Sequence, residues 1–378
     1  MSGPGAAPDE PRTAAYEPGT AVDEPGTVVD VPGTAVDVPG TAVDELGTVV
    51  DELGTAPDEP GTVVDESGTV VDEPGTVVDE SGTGAARPAD QEVFEQYRRL
   101  LFAVAYRVLG SAADAEDAVQ DAWLRWSAAD RSQVADPKAY LARIVTNESL
   151  TRLRAARHRR EVYPGPWLPE PILTEEPADP DSVSMAMLVV LETLSPLERA
   201  VFVLREVFDF SHAEIAAAVD RSEDSVRQAA HRARANVRAR RPRFTAERSR
   251  QRAVTERFLS AATGGDVNAL MELLSPDVTL WTDGGGKVRQ ATRPVHGADV
   301  VASWFAAIGT VTYQGVAPAD MRAELAEING GPGLLFRGPD RVIATVTFDF
   351  DAEGRILAVH NVANPDKLGA VSTGRRWV

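Results

Sequence analysis

SPLERAVFVLREVFDFSHAEIAAAVDRSEDSVRQAAHRARANVRAR, residues 195–240, announces three helices by their starts. Ser195-Pro196-Leu197-Glu198 has the spacing of a capping box, with proline at the first helical position, where its missing N–H costs nothing. Ser211 and Glu214 repeat the spacing, and Ile215 and Val219 face inward before a turn at Asp220-Arg221. From Ser222 a third helix puts Val226, Ala230, Ala233 and Val237 on one stripe, and Gln228, His231, Ala235 and Arg238 on the opposite one. Arg227, Arg232 and Arg234 flank the outer stripe, and Ser225 stands near its amino end. One side packs; the other suits phosphates and base edges, as in a helix-turn-helix. The plainer alternative is a solvated basic helix in an ordinary bundle.

A second helical module is legible upstream, from Asp90 to about Glu161. Phe94, Tyr97, Leu101, Ala105 and Val108 form the inner stripe of a helix that Gly110 ends. Ser111 then caps a helix with Ala115, Ala118, Ala122 and Trp126 inside and Asp114, Asp117, Gln120, Asp121 and Leu124 outside. That mixed acidic and apolar face suits a basic protein partner, or is simply solvated. Asp136-Pro137 starts a third helix with Leu141, Val145, Ser149 and Leu153 inward. Arg143, Asn147, Arg154 and Arg157 fall on its other side, because offsets of four, seven and three residues stay within one face. Arg152, Arg159 and Arg160 extend this positive surface, a second nucleic-acid face.

A net charge of −20 over 378 residues argues against a nucleic-acid binder until its distribution is read. Residues 1–90 hold 20 acidic and 2 basic side chains, which leaves residues 91–378 near neutral with their arginines clustered. The acidic part is a repeat, G-T-x-V-D-E-P in its fullest form, with glycine at 19, 26, 33, 40, 47, 54, 61, 68, 75 and 82. Glycine in each unit and proline in most would break a coiled coil at every turn, so the segment reads as a disordered acidic tail. It would act as an electrostatic decoy for the basic helices or serve only as a solubilising expansion. The chain has no cysteine, which excludes disulfides and thiolate metal sites. It has no apolar run of membrane-span length and no signal-peptide pattern, so no membrane partner and a cytoplasmic location are expected.

Beyond Arg248 the pattern changes. An amphipathic helix (Val254, Phe258, Leu259, Ala262) leads to Asp266–Leu274, a strand Val278–Thr282, a helix Ala298–Ile308 and an alternating strand with Val342, Ala344, Val346, Phe348 and Phe350. Asp351-Ala352-Glu353-Gly354 turns the chain into a last strand, Ile356–Val362. Helices followed by an antiparallel sheet give an α+β cone. Asp283, His296 and His360 could line a pocket there as acid and base, but the five histidines of the chain form no metal spacing, and a structural histidine is the default.

The segments DAEDAVQDAWLRW (114–126), AYLARIVTNESLTRLRAARHRR (139–160) and the helix-turn-helix, in this order, resemble regions 2 and 4 of the extracytoplasmic-function sigma factors. Trp167-Leu168-Pro169-Glu170-Pro171, Asp283-Gly284-Gly285-Gly286-Lys287 and Asn364-Pro365-Asp366-Lys367-Leu368 further resemble motifs of the SigJ type, which carries a fused SnoaL-like domain. Departures are Thr151, where the family often has an acidic residue, and Asp220, where it has a glycine near the turn. The resemblance implies a multidomain fold. Residues 1–88 would be the disordered acidic tail, 89–162 region 2, 163–184 a proline-rich linker, 185–245 region 4, and 249–378 a SnoaL-like regulatory cone. It implies that Asp114, Glu116, Asp117, Gln120 and Asp121 dock on core RNA polymerase. Arg143, Asn147, Arg154 and Arg157 would take the minus-ten element. Ser225, Arg227, Gln228, His231, Arg232, Arg234 and Arg238 would read the minus-thirty-five element. Trp167, Pro169, Asp283 to Lys287 and Asn364 to Leu368 would join the cone to the sigma modules, with Asp283 and Lys287 pairing to those modules or the linker. No cofactor is implied and no catalysis by the chain itself, although a small ligand in the cone, or an enzymatic cone fused to a DNA-binding regulator, remains an alternative.

If the tail competes with DNA, deleting residues 2–84, with 19 acidic and one basic side chain, should tighten DNA binding at low salt. The gain should vanish at high salt, because screening acts over about 8 Å at physiological ionic strength. Equal affinities in filter-binding assays at low salt would leave only the solubilising role.

Overall fold

The structure, a computed structural model, describes residues 88–130, 134–175, 183–240, 246–308 and 310–377; the reading of the acidic repeat lies outside them. Three helices open the folded part. Helix α1, Pro88–Leu109, buries Phe94, Leu101, Ala105 and Val108 and stops at Gly110, whose φ of +68° suits glycine. In α2, Ala112–Ala128, the Ser111 hydroxyl accepts the Asp114 N–H at 3.1 Å, and all four expected inner residues are buried. Helix α3, Pro137–Glu161, is capped by Asp136 and turns Leu141, Val145, Ser149 and Leu153 inward.

A two-residue strand β1, Leu173–Thr174, precedes the second helical group. This begins with α4, Met185–Glu192, ahead of the three helices that the caps announce. Both capping boxes form, at the heads of α5 (Pro196–Phe202) and α6 (His212–Val219). Between them the chain passes through a π-helical turn, Val203–Val207. Asp220 takes the left-handed conformation (φ +53°) that a short polar side chain tolerates, closing α6 before α7, Glu223–Arg240. Val226, Ala230, Ala233 and Val237 are all buried.

The last third is α+β. Helices α8 (Arg248–Gly264) and α9 (Val267–Leu273) lead into β2, Leu274–Asp283. Strand β3 (Val295–His296) and helix α10 (Ala298–Ile308) follow, then β4 (Arg322–Ile328), β5 (Gly331–Arg337), β6 (Val342–Phe350) and β7 (Ile356–Val362). A short helix α11, Gly369–Ser372, and strand β8, Arg376–Trp377, complete it. The sheet runs β3-β2-β7-β6-β5-β4-β1-β8. Two of its eight strands therefore come from outside the run β2 to β7: β1 from the linker and β8 from the C-terminal end.

That borrowing explains one departure from the sequence reading. An alternating β6 implies one solvated face, yet seven successive residues, Val342 to Phe348, are buried. Helices α8, α9 and α10 cover the inner face with Phe258, Leu270 and Phe305. The outer face is covered by Leu168 and Leu173 of the linker, Met185 of α4, and Leu368 and Val371. A sheet buried on both sides loses the period-two signature. The two helical groups share one apolar core, running from Phe94 and Leu141 through Leu204 and Phe210 to Val237, and Trp377 enters the same cluster.

Candidate functional site

The outer stripe of α7 emerges as expected: Gln228, His231, Ala235 and Arg238 are exposed. The flanking arginines are held by acids of their own module. Arg227 reaches Glu223 and Asp224 at 2.5 and 3.0 Å, Arg232 meets Glu198 at 2.6 Å, and Arg234 meets Glu206 at 2.7 Å. Their cationic groups stay at the surface, where such pairs are weak and exchangeable. Ser225 is half-buried at the amino end of the stripe.

On α3, Arg143 and Arg154 are exposed, and Asn147 is half-buried between them; the Arg157 side chain lies outside the described residues. Helix α3 packs against α6, and Lys138 places its ammonium 5.1 Å from the centre of the Phe210 ring. The acidic face of α2 differs from a free surface. Arg152, read from sequence as part of the basic face, reaches across to Asp121 at 2.5 Å and Asp117 at 3.5 Å. Glu116 pairs with Arg375 at 2.5 Å. Asp114 is half-buried and Gln120 exposed.

Asp283 draws three of the sequence motifs together. Its side chain is wholly buried and accepts from the Tyr163 hydroxyl (2.5 Å), the Leu168 N–H (2.8 Å), the Gly285 N–H (3.1 Å) and the Lys367 ammonium (2.7 Å). Lys367 also donates to the Leu168 carbonyl at 2.6 Å and lies over the Trp167 and Tyr163 rings. Burial pulls its pKa down to about 8 against the attraction of Asp283, so at neutral pH it remains a cation. The Asn364 amide donates to the Tyr163 hydroxyl at 2.8 Å. Gly285 sits at φ +61°, and a Cβ there would overlap that same amide. Pro169 is buried. The lysine of the glycine-rich motif behaves otherwise than expected: Lys287 pairs with Asp366 at 2.7 Å, within the cone and largely exposed, rather than with the linker or the helical modules. The tight turn Gly284–Gly286 points it toward the C-terminal motif instead.

Several further contacts gave no sequence signal, and Arg160, read from the sequence as part of the positive surface, is turned onto Glu192 and the Leu109 carbonyl instead. Glu170 caps α2, accepting from Ser111, Ala112 and Ala113. The Tyr106 hydroxyl donates to the Glu170 carbonyl at 2.5 Å and accepts from Asn329 at 2.6 Å. Asn329-Gly330 is the two-residue turn of the β4–β5 hairpin, with both residues at positive φ. Arg199, only 1% exposed, donates to the Arg107 carbonyl and to Glu192, while Arg160 donates to the Leu109 carbonyl and also meets Glu192. Two arginines thus satisfy the open carbonyls at the end of α1. A Cβ on Gly110 would press on Glu192 and Trp167, so the local glycine signal reflects this crowding as well as the helix end.

The three cone residues considered for acid–base work sit in separate environments. Asp283 is occupied by the hub, and His296 is exposed beside Thr279. His360 is buried 4.0 Å from Asp349, with burial lowering its pKa and raising that of the aspartate.

Residues 93–159 match the family model for sigma-70 region 2, and residues 184–237 that for sigma-70 region 4. The extracytoplasmic-function RNA polymerase sigma factor SigJ of Mycobacterium tuberculosis is 38% identical over 291 residues, 73% of this chain and 92% of that protein. The chain belongs to the extracytoplasmic-function sigma factors, of the SigJ type. The crystal structure of the M. tuberculosis SigJ superposes with a TM-score of 0.58 and 35% identity over 74% of this chain and 98% of that one. A probable sigma factor of the same organism, SigI, is 29% identical over 280 residues, 72% of this chain and 92% of its own length. Sigma factors bind core RNA polymerase and promoter DNA, and regions 2 and 4 of this sigma factor carry promoter recognition and transcription initiation.

Lys367→Ala in this sigma factor leaves a fully buried carboxylate without its cation and should cost about 3–5 kcal/mol of stability. Asp283→Asn with Lys367→Met removes both charges and should lose clearly less. Urea unfolding of the two variants compares them, and equal losses would mean that charge pairing is not what the hub supplies.

Proposed function

We propose that the sigma factor uses the outer stripe of α7 (Ser225, Arg227, Gln228, His231, Arg232, Arg234 and Arg238) for the minus-thirty-five element. The α3 face of Arg143, Asn147, Arg154 and Arg157 takes the minus-ten element. The α2 face of Asp114, Glu116, Asp117, Gln120 and Asp121 docks on core polymerase, and the cone regulates all three by gripping the linker between regions 2 and 4 through the Asp283 hub. The activity involves no covalent chemistry by the chain itself.

The shared apolar core of regions 2 and 4 carries this reading. By their names the two promoter elements lie about 25 base pairs apart, about 85 Å of B-form DNA at 3.4 Å per pair. A compact body of about 150 residues has a radius of gyration of roughly 15 Å, so modules packed as one do not span that distance. Engagement of both elements requires α3 to leave α6, and a linker pinned at Leu168 and Ile172 by the cone opposes the separation. The cone thereby biases a closed against an open arrangement.

A ligand-responsive cone is a second reading. The side-chain oxygens of Gln290 and Asn361 are buried beside Tyr313 without a hydrogen-bond partner among the described residues, which suits a small molecule bearing donors. Native mass spectrometry of the purified chain would show such a guest as added mass.

Asp117→Lys with Asp121→Lys should abolish co-purification with core polymerase while leaving the chain folded, and undiminished binding would refute the docking face. Arg227→Ala and Arg232→Ala should weaken promoter binding by about 1–3 kcal/mol each where they contact a base bidentately. Where they touch only phosphate, the slope of affinity against salt should flatten by about one unit. A variant equal to the parent at every salt concentration would remove that arginine from the interface.

A further inference from the structure

The C-terminal strand lies on region 2 rather than on the cone alone. Trp377 is 7% exposed and stacks on Phe102 of α1, with ring centres 4.2 Å apart and planes 19° from parallel. The Arg375 guanidinium lies over the indole, 4.0 Å from the ring centre, and reaches Glu116 of α2 at 2.5 Å. Arg376 donates to the Thr174 carbonyl, and β8 runs parallel to β1. Around this seat Arg98, Arg99, Phe102, Glu116 and Val119 line, with the strand, a partly open pocket of about 160 Å³.

The seat is built to be left. Strand β8 is two residues long, so few ladder bonds hold it. The Arg375–Glu116 pair is about half exposed on both sides and contributes placement more than strength. The Trp377 indole N–H is buried without a hydrogen-bond partner among the described residues, a cost that its departure relieves. What lifting it exposes is an apolar floor, Phe102 and Val119, beside the acidic stripe of α2. A cation next to an aromatic ring is the chemistry that the strand presents to that surface.

We propose that the segment Arg375–Trp377 and core RNA polymerase compete for the same α1–α2 surface, so that the footprint of the polymerase extends from Glu116 onto Phe102 and Val119, and a basic-plus-apolar element of the polymerase takes the place of Arg375 and Trp377. This rests on the reading that the acidic face of α2 docks on polymerase. The Asp283 hub and the strand are separate controls: the first holds the linker, the second covers the docking face.

The test measures binding of core polymerase to the full chain, to a chain ending at Thr373 and to R375E, each labelled at one engineered cysteine, since the chain has none of its own. If the closed seat is 90–99% populated, ending the chain at Thr373 tightens binding by roughly ten- to a hundredfold. R375E, which keeps Trp377, tightens it by roughly two- to fivefold, the range of an exposed ion pair. A peptide of residues 369–378 added to the shortened chain should reverse the gain. Thermal melts verify that the shortened chain folds; if it does not, R375E in the full chain decides. Unchanged or weaker polymerase binding by the folded shortened chain, or by R375E in its stead, overturns the competition. The Asp117→Lys, Asp121→Lys chain separates the two failures: if it still binds polymerase, the docking reading falls, whereas if it loses binding and the strand variants do not tighten it, only the competition falls.

Discussion

A carboxylate with no solvent around it organises the molecule. Asp283 ends the longest strand of the sheet, and four donors from the linker, the glycine-rich turn and the C-terminal motif converge on its two oxygens. A buried charge is tolerated only when its partners are all in place. The ordering of Tyr163, Leu168 and Lys367 is therefore one event rather than three. Once the linker is fixed at Leu168, Glu170 lies against the start of α2 and Ile172 against the Asn329 turn. The orientation of the cone relative to region 2 follows from these contacts.

A second node governs how the helical modules meet. Glu192 of region 4 holds Arg160 from α3 and Arg199 from α5, and both guanidiniums close the carbonyl end of α1. The arrangement spends a buried arginine on a junction that must also come apart in the proposed working cycle. Opening frees Arg199 and the α1 carbonyls to water, which recovers much of what their separation loses. A purely apolar junction offers no such return.

The legibility of the chain in its sequence follows the range of the interactions. Capping boxes at Ser195 and Ser211, the turn at Asp220 and the inner stripe of α7 are local, with partners three or four residues away, and the spacing alone identifies them. The motifs around Trp167, Asp283 and Lys367 were recognisable only by resemblance, because their residues meet across 84 to 201 positions of chain. The pairing of Lys287 with Asp366 was misassigned for the same reason: an exposed lysine beside a tight turn carries no sign of which acid it will find. Tyr106 and Asn329, 223 residues apart, are individually ordinary. Strand β6 misled because its outer face is roofed by segments from other parts of the chain.

Strand β1 is made before region 4, and its sheet neighbours β4 and β8 after it. The sheet therefore closes around a module that has already left the ribosome. Region 4 ends at Arg240 and the sheet is complete only at Trp377. At about 5–20 residues per second, roughly 7–27 s separate the two. For that interval each nascent chain carries the completed sequence of region 4 with neither the hub nor the C-terminal strand in place. The contacts that tie the helical modules and the linker to the rest of the sheet are acquired late in synthesis, and a pause in translation beyond Arg240 would lengthen the time in which the chain is without them.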